Sequence, residues 1–159
     1  MSSDVLLVES SLNIAGSVIY TLHKTIPNIT IEYVKTVSQA LDYLFHTGKY
    51  TDPTSAPVPD LILLSLDLPN EGGIELLQIS KAYIRTQKIP IVLLAEASTL
   101  IPALEKSPLD INRFIVKSRN PEEFMQAVAH AVAYWLEPDS AHRAMTSEDN
   151  PSDYAAARH

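Results

Sequence analysis

Short apolar runs alternate with stretches whose apolar residues recur at helical spacing, from the first residues to about position 136. Val5-Leu-Leu-Val8 is too short and too uniformly apolar for a surface helix and predicts a strand buried on both faces. Ser10 and Ser11 can cap a first helix, with Leu12, Ala15, Ile19 and Leu22 inward, that ends before Pro27. Thr30-Ile-Glu-Tyr-Val34 predicts a second strand, and Val37, Ala40, Leu41, Leu44 and Phe45 a second helix stopped by Gly48. A proline- and serine-bearing connection, Lys49 to Pro59, delivers the chain to a third strand, Asp60-Leu-Ile-Leu-Leu-Ser65. Its exit through Pro69, Gly72 and Gly73 opens a third helix with Ile74, Leu77 and Ile84 on one face.

Pro90 introduces the fourth strand, Ile91-Val-Leu-Leu-Ala95. Ser98 can cap a short fourth helix that carries Pro102 in its first turn and ends by Pro108. Arg113-Phe-Ile-Val116 predicts the fifth strand. Asn120, Pro121, Glu122 and Glu123 then supply a cap, a proline at the first helical position and two acids against the helix dipole. The fifth helix runs to about Trp135 with Phe124, Val128, Ala131 and Trp135 inward. Strands alternating with helices imply an α/β fold: one parallel sheet with right-handed crossovers and helices on both faces. From Glu137 to His159 no apolar period is sustained, which predicts a mobile tail after a single domain over residues 1–136, with no output domain.

Composition narrows the chemistry. A length of 159 residues with 46% hydrophobic content suits one domain. A net charge of −7, with only 12 scattered basic residues, argues against a nucleic-acid surface. Without cysteine there are no disulfides or thiolate metal sites. No stretch is long enough to span a membrane and no basic leader opens the chain, so the expected location is cytoplasmic. Four glycines, at 16, 48, 72 and 73, cannot form a Walker loop or a dinucleotide fingerprint. His23, His46, His130, His142 and His159 fall on different elements without a second metal ligand at helical or hairpin spacing. No Gly-x-Ser-x-Gly elbow frames a serine. Neither an enzyme nor a bound cofactor is expected.

The carboxyl ends of the strands are where an open α/β sheet binds ligands. The residues there are Glu9 and Ser10 after strand 1, Ser65 and Asp67 after strand 3, Ala95 after strand 4 and Lys117 after strand 5. The element order, the acid after strand 1, the Ser65-Leu-Asp-Leu-Pro69-x-x-x-Gly73 loop and Lys117 together resemble the receiver domain of two-component response regulators over residues 4–136. The resemblance implies a flavodoxin-like (βα)5 fold with strand order 2-1-3-4-5. In that family strand 1 ends in two metal-binding acids, strand 3 in a phosphorylated aspartate, strand 4 in a hydroxyl residue and strand 5 in a lysine. Proline and glycine stand four and eight residues after the acceptor, which assigns Ser65 to the acceptor position and gives Asp67 the position whose backbone carbonyl binds the metal.

On that alignment Ser10, Ser65 and Ala95 have lost an acid, a nucleophile and a hydroxyl, and Glu9 is the one acid kept of the metal site. Mg²⁺ needs near-octahedral oxygen coordination, so a weak or absent site is expected. Lys117 should then pair with Glu9, Asp67 or loop carbonyls, because an unpartnered buried ammonium is costly. Phe114 matches the aromatic that receivers swing between two states, and is equally readable as core. The nearer resemblance is to stand-alone receivers that partner cyanobacterial phytochromes, on the long loop after helix 2, the Lys117-Ser-Arg-Asn120 run and the Trp135-Leu-Glu137 helix end. Ser118 replaces the proline usual after the lysine, which leaves the Lys117-Ser118 bond geometry open. The resemblance implies a pseudo-receiver in a two-component or phytochrome-type phosphorelay, with a protein partner such as a phytochrome-like histidine kinase. It also implies a homodimer through helix 4, strand 5 and helix 5, for which Trp135 is the candidate anchor. Two alternatives stand beside it: an active phosphoacceptor using Asp67 or Ser65, and a small flavodoxin-like ligand carrier or enzyme.

Overall fold

Apolar residues at successive strand positions require cover on both faces, and the computed structural model, which describes residues 3–99, 102, 113–117 and 120–137, provides it. Strands β1 (Ser3–Val8), β2 (Ile31–Val34), β3 (Pro59–Ser65), β4 (Ile91–Ala95) and β5 (Arg113–Val116) form one parallel sheet in the order β2-β1-β3-β4-β5. Helices α1 (Leu12–Thr25), α2 (Val37–Phe45), α3 (Gly72–Ala82) and the C-terminal α4 (Pro121–Leu136) pack on it. Most of the expected fourth helix of the sequence pattern, the Lys117-Ser118 bond and residues from 138 onward lie outside the described residues. Among the described residues no helix is long and apolar enough to cross a membrane.

Successive strand residues point to opposite faces and build two cores. Leu6, Val8, Ile62, Leu64 and Leu93 meet Ala40, Tyr43 and Leu44 of α2 and Leu76 and Leu77 of α3. Val5, Leu7, Leu61, Leu63, Val92, Leu94 and Ile115 meet Ala15, Val18 and Leu22 of α1 and Phe124, Val128, Ala131, Val132 and Trp135 of α4. The caps form as the sequence implies: Ser11 Oγ accepts from the Ile14 amide, and Asn120 Oδ1 from those of Glu122 and Glu123.

Several expectations are corrected. Leu12 is exposed, because the buried stripe of α1 is Ala15, Val18 and Leu22. Ile84 is 87% exposed rather than on the inner face of α3. That helix ends at Ala82, Tyr83 is extended, and Thr86 Oγ1 turns back to donate to the Ser80 carbonyl at 2.6 Å. The carbonyl that one more helical turn would have used is thereby satisfied from the loop. Helix α2 stops at His46 in the left-handed region (φ 58°), two residues before Gly48. The His46 ring then bridges the Ala56 carbonyl and the Arg85 guanidinium. Trp135 is 1% exposed and belongs to the second core, as its inward place in the helical period implies, and is thereby lost as an interface anchor.

Candidate functional site

Parallel pairing sets the strand ends side by side: Val8 is level with Val34 and Leu64, Ser65 with Leu94, and Ala95 with Val116. The residues just beyond each strand therefore collect at one edge of the sheet. Glu9, Ser65, Asp67, Ala95 and Lys117 meet there.

Lys117 is the centre of the cluster. Its ammonium donates to Glu9 Oε1 at 3.1 Å and to Ser65 Oγ at 3.1 Å, and lies 2.8 Å from Asp67 Oδ2. An ammonium has three N–H groups, and three acceptors surround this one. Its side chain is 8% exposed, so the pairing offsets a desolvation cost that would otherwise be several kcal/mol. The backbone is fixed as well, since the Lys117 amide donates to the Ala95 carbonyl at 2.7 Å.

Glu9 is 1% exposed and fully engaged. Its Oε2 accepts from the Ser11 amide, its own amide donates to the Val34 carbonyl, and its carbonyl accepts from the Tyr33 hydroxyl at 2.8 Å. Burial, and then the Glu9 carboxylate, push the Tyr33 phenol above its ordinary range, which keeps it a donor. Ser65 is buried and accepts from both the Asp67 amide and Lys117 Nζ, each at 3.1 Å. Two accepted bonds occupy both lone pairs of the hydroxyl, leaving it a poor nucleophile. Asp67, 19% exposed, uses its side chain: besides Lys117, Oδ2 accepts from the Glu96 amide at 3.2 Å.

Ser10 is exposed and stands apart from these contacts, Ala95 presents a buried methyl group, and Phe114 is partly buried against the first core. A hollow of about 440 Å³ lies beside the site between Ser10, Lys35, Thr36, Asn70 and Glu75, but neither Glu9, Ser65 nor Lys117 lines it. Among the described residues no group of three or more acids or histidines is placed to hold a metal ion. Glu9 and Asp67 both pair with Lys117.

Sequence reasoning missed one participant, Tyr33, and one contact of another, Asp67. Tyr33 was legible only as a strand residue, although its place one before the end of β2 carries its hydroxyl to Glu9. Asp67 was expected to offer its carbonyl to a metal and was one of the alternatives for pairing with Lys117; its carboxylate makes that pair, and its bond to the Glu96 amide is the contact the sequence did not indicate.

The loop after β3 explains the proline and glycine spacing. A β-carbon on Gly73 would stand 2.6 Å from the Ser65 carbonyl oxygen and 2.8 Å from Leu66 Cα, so the start of α3 can lie against the strand end only without a side chain. Between them Asn70 and Glu71 adopt left-handed backbone (φ 59° and 57°).

No family model matches the sequence. Response regulator Rcp1 of Synechocystis sp. is 32% identical over 98 residues, 62% of this chain and 65% of that relative, so the chain spans slightly less than two thirds of its length. Among solved structures, the phosphorylated cyanobacterial phytochrome response regulator RcpA superposes with a TM-score of 0.75 at 28% identity, over 86% of this chain and 96% of that one. The Mn²⁺-bound form of Rcp1 gives a TM-score of 0.74 at 28% identity with the same coverage. Strand order and these likenesses agree: the chain has the receiver fold of the response regulators, close to that of the phytochrome regulators Rcp1 and RcpA.

Proposed function

We propose that this chain is a pseudo-receiver: a non-enzymatic signalling module that does not accept phosphate and acts through protein contacts in a two-component or phytochrome-type pathway. The observation that carries the reading is the Lys117 ammonium, bound at once to Glu9, Ser65 and Asp67. Phosphoryl transfer needs an anionic oxygen, a divalent cation to neutralise the moving charge and donors around the phosphoryl oxygens. At the acceptor position stands a neutral hydroxyl with its lone pairs engaged, and the carboxylates that would hold the cation face the lysine. Ala95 offers no hydroxyl to a phosphoryl group.

Partners on this reading include a phytochrome-like histidine kinase or a second copy of the chain. Self-association would draw on the exposed sides of β5 and α4 and not on Trp135, which the core has already taken. The test is incubation with acetyl phosphate and Mg²⁺ followed by intact mass. An unchanged mass is expected; a stable gain of one phosphate, at Asp67 or at Ser65, would replace this reading with that of an active acceptor.

A further inference from the structure

One oxygen, Asp67 Oδ2, joins three strand exits. It accepts from the Glu96 amide, 29 residues further along, at 3.2 Å, and lies 2.8 Å from the ammonium of Lys117, which comes directly after β5. The Ser65 hydroxyl accepts from the Asp67 amide and so fixes the backbone from which this carboxylate projects. Glu96 is the first residue beyond β4, and its amide is the group that starts the chain on its way out of the sheet.

We propose that the Asp67 carboxylate is a built-in anion that positions the exit of β4 and couples it to Lys117, so that this exit keeps one arrangement without any covalent modification. Asp67 is thus a positioning residue, and the inference rests on the reading of the site as one that does not take phosphate. A charged acceptor suits this point because an amide and an ammonium converge on it, and a carboxylate bonds both by charge-assisted hydrogen bonds, stronger than those a neutral acceptor would make. At 19% exposure the charge is partly sheltered from solvent and salt, which preserves its attraction for Lys117. Ala95, whose methyl group cannot hold the exit by a side-chain hydrogen bond, leaves that task to the backbone contacts of Glu96 and Lys117.

The test is amide hydrogen exchange at Glu96 in the full chain without phosphodonor, read residue by residue by NMR. Asp67→Asn keeps the shape and an acceptor but removes the charge; Lys117→Met removes the cation on the other side of the carboxylate. Each is expected to raise exchange at the Glu96 amide about tenfold while amides within β3 keep their protection. Exchange at Glu96 that stays within about twofold of the unsubstituted protein in either variant would overturn the proposal. Should Lys117→Met fail to fold, the double variant Lys117→Met/Glu9→Gln, which leaves no unpaired buried carboxylate at Glu9, carries the same comparison. A gain of phosphate mass would defeat the functional reading, whereas this exchange result speaks only to the coupling through Asp67.

Discussion

Gly73 lies against the carbonyl of Ser65 so closely that a β-carbon would come within 2.6 Å of the oxygen. The obstacle is backbone and cannot swing aside. Gly73→Ala should therefore cost about 1–3 kcal/mol by overpacking, seen as a lower urea midpoint with an unchanged slope. The same substitution at Gly16, where nothing lies within 4 Å of the added carbon, should stabilise by several tenths of a kcal/mol or more, because alanine is the better helix former.

Restoring the aspartate alone should not restore phosphorylation. In Ser65→Asp a third carboxylate joins Glu9 and Asp67 around Lys117, but Ser10 still contributes no acid and Ala95 no hydroxyl. Intact mass after acetyl phosphate and Mg²⁺ should show no stable adduct, and robust modification of this single variant would contradict the pseudo-receiver reading. Adding Ser10→Asp and Ala95→Thr should bring measurable Mg²⁺ binding by calorimetry.

Removing Lys117 should be more damaging than its neighbours suggest. Lys117→Met strands the buried Glu9 carboxylate, which costs about 3–5 kcal/mol in comparable buried pairs. Lys117→Met/Glu9→Gln should recover most of that loss. Chemical denaturation near neutral pH of the two single variants and the double variant closes the cycle.

Tyr50 supplies a pH signature away from the site. Burial first, and then its bond to Glu32 Oε2 at 2.9 Å, push the phenol from 10.0 up to about 12. The raised value means that the folded chain holds this proton more tightly than the unfolded one. The associated stability is complete below pH 10 and drains away as pH rises toward about 12. Tyr50→Phe should be less stable at neutral pH by roughly one hydrogen bond, about 1 kcal/mol, and should lose less on alkaline titration. Parallel urea melts across that range check both parts.

The gathering of Glu9, Ser65, Ala95 and Lys117 was legible from period and alternation, since the ends of five apolar runs read as parallel strands must share an edge, whereas the strand order was implied by the resemblance to receiver domains. What escaped the sequence was decided by contacts outside each element. Ile84 fits a helical stripe, yet the helix had already ended where Thr86 captured the Ser80 carbonyl. Gly48 looked like the stop of α2, but the stop is His46, whose ring is held by Ala56 and Arg85 from two other segments. Trp135 was legible as an inward residue from the helical period, which holds, and only the resemblance made it an interface anchor as well, which its burial in the second core excludes. The bond from the Glu96 amide to the Asp67 carboxylate was invisible for a similar reason, since the two lie on different loops.

The bond between Glu9 and Lys117 spans 108 residues, joining the end of the first strand to the end of the last. Among the described residues strand β5 is at the margin of the sheet and pairs with β4 alone, so this contact cannot close until the final strand has docked. Loop closure over such a distance is slow and entropically costly, and until it happens the acid after β1 has no cation. Pulse-labelled refolding should accordingly show the amide of Ser11, which rests on Glu9, gaining protection with β5 rather than with α1. Assembly of the site thus requires the last strand, and a chain interrupted before Arg113 would contain the other four strands yet lack the cation that Glu9 pairs with.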